Sequence, residues 1–162
     1  MKAWLTPAAA SALLLAAPVP APAQDPAAPE QLGEDHRQVM AVVVQLFAGM
    51  REKDTTKMRA TLHPEARLVA TGMRDGVPIA SVVSPTQWLA GIAGAAAILD
   101  ERVRNPVIHL DQGLASVWLE YTFYIGDRLS HCGVDLIHLV RTAQGWRIID
   151  LADTRRREGC PP

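Results

Sequence analysis

The chain has 162 residues, 49% of them hydrophobic, with 16 Lys and Arg against 17 Asp and Glu. Apart from the run at 155–157, the basic residues are scattered, which argues against a nucleic-acid-binding surface. Once an N-terminal targeting segment is set aside, the remaining length suits one domain with a substantial core.

The N-terminus has the features of a secretory signal. Lys2 precedes an Ala/Leu-rich run, and Ala21-Pro22-Ala23 supplies the small residues that a signal peptidase reads. The apolar run is about ten residues long, roughly half of what a membrane span needs. We therefore predict a signal peptide at 1–23, a Pro/Ala-rich linker at 24–33 and a single domain at 34–162. The mature protein is expected to be periplasmic or secreted, with no membrane span.

Three helices are predicted ahead of the main sheet. Apolar residues recur every three or four positions over 34–53, which indicates an amphipathic helix. A short helix is expected at 54–62, with Asp54 as its N-cap, and it should end before His63-Pro64. The third begins after Ser84, where Pro85 and Gln87 complete a capping pattern, and ends near residue 96.

The predicted strands follow the same order along the chain. Residues 65–71 and 79–83 form a strand pair, and 98–104 is an edge strand. From 105 to 155, turn-forming residues at 111–113, 126–128 and 142–145 divide the chain into four strands. Because the turns are short, these strands should be antiparallel neighbours. The pattern predicts the α+β class, with the helices on one face of a curved antiparallel sheet.

Two passages, LHPEARLV and DLIHLVRTAQGWRIIDLADTRR, resemble the nuclear transport factor 2-like superfamily. Together with the long first helix before a short second one, they resemble its secreted, lumazine-binding-like and SnoaL-like bacterial branch. The resemblance covers nearly all of the mature chain and implies a cone-shaped fold around a pocket. Since the superfamily includes isomerases, dehydratases, cyclases, ligand binders and transport adaptors, it predicts the fold more narrowly than the chemistry.

The register of the hairpins predicts which side chains share a face. Strict alternation groups one set of residues together: Trp118, Glu120, Thr122, Tyr124, Val134, Leu136, His138, Ile149, Leu151, Asp153 and Arg155. The ketosteroid isomerases resemble this chain at 138–141, where their oxyanion-hole aspartate corresponds to His138, which assigns this face to the pocket. Their other proton-transferring positions fall near Leu46 and Ala70, so isomerase activity is not expected.

The candidate acid/base residues on this face are His138, Glu120 and Asp153. The candidate ligand-binding residues are Phe47, Trp88, Trp118, Tyr124, Leu136, Leu151 and Arg155. Three structural interpretations remain open: a hydrogen-bonded core His138, an ion pair of Glu120 with Arg147 or Arg155, and a turn-capping Asp153. No cofactor is predicted, and no metal either, because His131 and Asp135 are four residues apart on a strand, about 13 Å, which is too far for one zinc ion.

Two functional hypotheses follow from these patterns. The first is an exported pocket protein that binds a small, mostly apolar ligand, with acid/base catalysis as an extension. The second is a non-catalytic interaction module, whose cavity is filled by its own side chains and which dimerises. Seven apolar residues are predicted to form the convex dimer surface: Leu119, Tyr121, Phe123, Ile137, Leu139, Trp146 and Ile148.

Cys132 and Cys160 are predicted to form a disulfide. The hairpin register places Cys132 opposite about Arg155, and a tail of about five extended residues can return to it. An exported protein folds in an oxidising compartment, where such bonds persist. The alternative is a buried free Cys132 with a reactive Cys160.

Overall fold

A computed structural model describes residues 29–161, so the predicted signal peptide and the first residues of the predicted linker lie outside the described part. The elements are α1 Pro29–Glu52, α2 Thr55–Arg59, β1 Leu62–Arg74, β2 Val77–Val83, α3 Pro85–Gly94, β3 Leu99–Asp111, β4 Leu114–Ile125, β5 Arg128–Thr142 and β6 Gly145–Thr154. No helix within 29–161 has the length and apolar character needed to cross a bilayer.

The six strands form one curved, open sheet in the order β2-β1-β6-β5-β4-β3. The predicted α+β class, with three helices on a curved sheet, is confirmed. The sheet is mixed rather than purely antiparallel, because β1 runs parallel to β6. The two strands predicted at 98–104 and from 105 onward are one strand, β3, interrupted by a register shift between Arg104 and Val107. Asn105 adopts φ 51° there, a left-handed conformation that one class of β-bulge contains.

Capping residues mark the starts of α2 and α3 as predicted. The Asp54 carboxylate accepts a hydrogen bond from the Lys57 backbone N–H at 2.9 Å, and Ser84 and Gln87 form the predicted capping box of α3. The first helix begins at Pro29, five residues earlier than predicted. The second ends at Arg59, because the chain turns there and enters β1 at Leu62.

Helix α1 covers one side of the sheet, which we call the inner face, and the opposite side is the outer face. Val39, Val43 and Leu46 of α1 are fully buried in the core. The inner-face residues include six that are also buried: Leu119, Tyr121, Ile137, Leu139, Trp146 and Ile148. These six, and the partly buried Phe123, were predicted to form an exposed convex surface, and that prediction is wrong. Because they pack in the core beneath α1, they are not available to a second subunit.

A β-bulge in β6 changes which residues share a face. Leu139 is opposite Ile148 but His138 is opposite Asp150, so Ile149 is an extra residue in β6. Beyond the bulge, Leu151, Asp153 and Arg155 lie on the inner face with Ile148. His138 lies on the outer face. The sequence-based prediction that Leu151, Asp153 and Arg155 share a face with His138 is therefore wrong.

The C-terminal tail is fastened to β5. Cys132 and Cys160 form the predicted disulfide, with their Cα atoms 5.5 Å apart. Two backbone hydrogen bonds between Cys132 and Arg156, each 3.0 Å, extend the pairing beyond β6. At Gly133 a Cβ atom would lie 1.8 Å from the Thr154 carbonyl oxygen, so only glycine allows the two strands to approach this closely.

Candidate functional site

A cavity of about 240 Å³ lies between the inner face of the sheet and the helices α1 and α3. Its apolar lining consists of Phe47, Met50, Leu68, Val69, Ala70, Val83, Trp88, Ile92, Leu99, Phe123 and Leu151. Its polar lining consists of Glu101, Tyr121, His131, Asp135, Asp153 and Arg155. The polar groups come from the strands and from Arg155, directly after β6, whereas the helices contribute only apolar side chains. The cavity thus has a polar floor beneath apolar walls.

Three carboxyl groups from three strands meet on this floor. Asp135 of β5 and Asp153 of β6 are register partners, and Glu101 of β3 reaches across β4. Burial raises the pKa of Asp135 to about 7, although its hydrogen bond with Glu101 opposes that shift. Burial, followed by the charge of Asp135, raises the pKa of Glu101 well above its ordinary value. Because their hydrogen bond raises the pKa of Glu101 and lowers that of Asp135, Glu101 is the donor in this bond and Asp135 the acceptor.

The third carboxylate is already neutralised. Arg155 donates two hydrogen bonds to Asp153, from Nε to Oδ1 at 2.7 Å and from a terminal guanidinium nitrogen to Oδ2 at 3.0 Å. This two-point pairing is the geometry that a guanidinium and a carboxylate favour. Each oxygen of Asp153 thus accepts a hydrogen bond, whereas Oδ2 of Asp135 in the neighbouring pair accepts none from the described residues.

Two further side chains on the floor are uncharged. Burial, and secondarily the charge of Arg155, lowers the pKa of His131, so its imidazole is neutral at pH 7. That ring lies 3.1 Å from the Ser130 hydroxyl through Nδ1 and stacks obliquely on Phe123 at 4.8 Å. The Tyr121 hydroxyl donates to the Thr154 carbonyl at 2.8 Å, and burial raises its pKa.

One atom of the floor lacks a partner. Asp135 is only 1% exposed, yet its Oδ2 atom accepts no hydrogen bond from the described residues. Leaving a buried polar atom unsatisfied costs about 1–3 kcal/mol, and more for a charged one. Because Asp135 lines the cavity, a hydrogen-bond donor on a bound molecule could satisfy this oxygen.

The structure separates the residues predicted for the site. Phe47, Trp88, Leu151, Asp153 and Arg155 line the cavity. The others lie on the outer face or outside the cavity lining: Trp118, Glu120, Tyr124, Leu136 and His138.

The predicted acid/base trio is therefore not assembled, and the assignment of the His138 face to the pocket is wrong. Glu120 pairs with Arg104 at 2.9 Å, rather than with Arg147 or Arg155. His138 Nδ1 lies 3.7 Å from Asp150. The cause is twofold: α1 covers the other face of the sheet, and the bulge at Ile149 brings Asp153 to that face without His138.

Sequence reasoning missed Glu101, Tyr121, His131 and Asp135 as cavity residues. A signal for Asp135 was present, because it alternates with Ile137 and Leu139 on the most apolar face of β5. A lone carboxylate in such a row has to be satisfied from within the protein. Glu101 carried no such signal, since its neighbours in the strand, Asp100 and Arg102, are also charged.

Residues 34–151 match a family model described as "Putative lumazine-binding". A search of curated proteins found no match. Among solved structures, a nuclear transport factor 2-like protein with a cystatin-like fold from Novosphingobium aromaticivorans is 11% identical, with a TM-score of 0.65 over 81% of this chain and 87% of that one.

Two further solved structures carry descriptions of an activity. A "putative dehydratase" of the same superfamily from Streptomyces avermitilis is 13% identical, with a TM-score of 0.60 over 78% of this chain and 99% of that one. A "putative scytalone dehydratase" from N. aromaticivorans is 10% identical, with a TM-score of 0.61 over 79% and 88%. At these identities the likeness establishes the shared fold alone.

The raised pKa of Asp135 predicts a particular pH dependence of stability. Between about pH 4, where an unfolded aspartate titrates, and pH 7, where folded Asp135 does, the folded protein holds a proton that the unfolded chain has lost. This contribution is fully present below pH 4 and is lost as the pH rises through 7. The lowered pKa of His131 acts in the opposite direction below pH 6.5, so a comparison of variants is needed.

We expect Asp135→Asn to gain unfolding free energy relative to the unaltered protein as the pH rises from 5 to 8. The gain should be a few kcal/mol at most, since one pKa unit corresponds to about 1.4 kcal/mol. Urea unfolding at each pH measures it, with Asp127→Asn, at an exposed turn, as the control. A difference between Asp135→Asn and the unaltered protein that stays constant with pH would contradict the assignment.

Proposed function

This chain belongs to the lumazine-binding-like family of the nuclear transport factor 2-like superfamily, and from that premise we propose that it is an exported protein that holds one small, mostly apolar ring compound in its cavity. The observation that carries the proposal is the cavity itself, with its apolar walls and one unsatisfied oxygen on its floor. A few directed polar groups in an apolar enclosure are typical of small-molecule sites.

The size of the cavity limits the ligand. An engineered protein cavity of about 150 Å³ accepts benzene, so 240 Å³ corresponds by proportion to roughly ten non-hydrogen atoms. Phe47, Trp88 and Phe123 offer aromatic surfaces for a flat ring. A compound with one or two rings fits these walls, and the family description, which names the fused-ring compound lumazine, supports the same class.

The polar floor also has the chemistry for proton transfer. A carboxyl pair that exchanges a proton near pH 7 can act as a general acid or base. Dehydration needs such a group, and two structural neighbours are described as putative dehydratases. A ligand whose reactive C–H or hydroxyl group reaches Asp135 would therefore meet the acid/base pair that such a reaction requires.

Two features support export. The small residues at Ala21-Pro22-Ala23 follow an apolar run behind Lys2, as in a signal peptide. The disulfide between Cys132 and Cys160 is compatible with an oxidising compartment. We propose that the mature chain begins near Gln24 and acts in the periplasm or outside the cell.

Mass spectrometry of the protein isolated from the periplasm of its own cells tests binding and export together. We expect a chain that begins near Gln24, contains the disulfide, and carries a non-covalent compound under native conditions. Ala70→Phe should fill the cavity and remove most of that compound. Ala90→Phe, at an exposed position of α3, should retain it.

A chain that retains Lys2 would refute export. Equal occupancy in the two phenylalanine variants, or none in the unaltered protein, would refute the ligand-binding proposal.

The outer face favours a second candidate function, an interaction module that forms a homodimer. Val107, Trp118 and Leu136 are consecutive register partners across β3, β4 and β5, and form an apolar row. Val107 and Trp118 are each 50% exposed. An exposed row of this kind often marks an interface, and a symmetric pair would cover the same row on both copies.

Replacing Trp118 by Lys should convert the dimer to a monomer, because it introduces a like-charge pair near the twofold axis. Sedimentation at micromolar concentration measures the change. Val44→Lys is the matched control, since Val44 is 55% exposed on the helical side of the molecule. An unaltered protein that sediments as a monomer would rule out this interface.

A further inference from the structure

The charge on the cavity floor is fixed by how its ionisable groups pair. Arg155 and Asp153 neutralise each other through two hydrogen bonds. His131 is neutral, and the Tyr121 hydroxyl is committed to the Thr154 carbonyl. What remains is the carboxyl pair of Glu101 and Asp135, in which one proton is shared between two groups. As the pH rises through about 7 and Asp135 loses its proton, the floor presents one unbalanced negative charge to the cavity.

The unsatisfied atom of that floor is an acceptor. Asp135 Oδ2 has no hydrogen-bond partner among residues 29–161, although Asp135 is only 1% exposed. Asp153, by contrast, already accepts a hydrogen bond from Arg155 at each of its two oxygens. A ligand donor that reaches this enclosed oxygen thus meets a carboxylate acceptor at a position where water is largely excluded and electrostatic attraction is strong.

We propose that the cavity selects ring compounds that carry a cationic or strongly N–H-donating group, such as an amidine, and that it discriminates against ring carboxylates. This inference rests on the proposed ligand-binding function and names the chemical class of the ligand. The donor group is directed to Asp135 Oδ2, and the ring lies between Phe47 and Trp88. A carboxylate in the same place would put a second anion beside Asp135 and leave its oxygen unsatisfied.

Three probes of almost the same size and shape separate these possibilities: benzamidine, a cation; benzamide, a neutral donor; and benzoate, an anion. Each is a single ring with a planar three-atom substituent, within the size limit of the cavity. Titration of the mature, disulfide-bonded protein with each probe at pH 8, above the pKa of about 7 of Asp135, followed by backbone amide NMR shifts at Tyr121 and His131, reports binding at the floor. We expect benzamidine to bind at least tenfold more tightly than benzoate, with benzamide between them.

Variants locate the origin of this preference. Asp135→Asn should bring the three affinities to within about threefold of one another, because the amide no longer carries the charge. Glu101→Gln should keep the preference for benzamidine, since its side-chain N–H can replace the protonated carboxyl as the donor to Asp135. Asp150→Asn, which makes the same change on the outer face of β6, should leave the ranking unchanged.

The outcomes are distinguishable. Benzoate binding as tightly as benzamidine would overturn the inference but leave a working ligand site, with Arg155 as its anchor. If none of the three probes shifts the cavity resonances, the proposed ligand-binding function fails with it. The ranking measured on the unaltered protein is decisive by itself, so the test does not depend on the variants folding.

Discussion

One extra residue in β6 brings Asp153 and Arg155 to the cavity. Without the bulge at Ile149, the regular alternation of a strand would place Asp153 and Arg155 on the outer face with His138. With it, the chain buries Ile148 under α1 and still presents Leu151, Asp153 and Arg155 to the same side. The ion pair of Asp153 and Arg155 then lies beside Asp135, because Asp135 is the register partner of Asp153. The ion pair on the polar floor therefore depends on a single departure from strand periodicity.

The floor is stable because most of the charge on its buried groups is neutralised. An isolated carboxylate in an apolar enclosure is strongly unfavourable, and the group normally neutralises by taking up a proton. Here two carboxyl groups are joined by a hydrogen bond that requires a proton, and the third is matched by a guanidinium. The remaining negative charge and the unsatisfied oxygen of Asp135 are a residual cost. Such costs concentrate at functional sites, where a ligand removes them.

The sequence predicted those parts of the fold that depend on local chemistry. Asp54 and Ser84 are capping residues in their own right, and the turns of the hairpins are marked by glycine. The disulfide could be predicted because the register of one hairpin and the length of the tail are enough to bring Cys132 and Cys160 together. The choice of face could not, since it depends on the side of the sheet that α1 covers and on a bulge at Ile149 that no residue type marks. By contrast, the irregularity of β3 coincides with Asn105 and Pro106, a pair that interrupts a strand by its own chemistry. Glu101 belongs to the site only because the curvature of the sheet brings β3 over β5, which is a tertiary property.

The shared proton of Glu101 and Asp135 can be observed directly by following the side-chain carboxyl carbons of both residues by NMR as the pH is varied. Coupled groups titrate as a pair, and at least one of the two should show an apparent pKa of about 7, with the other higher. Titration of both carboxyls below pH 5 would mean that the cavity floor is fully ionised at neutral pH, and would contradict this description of the site.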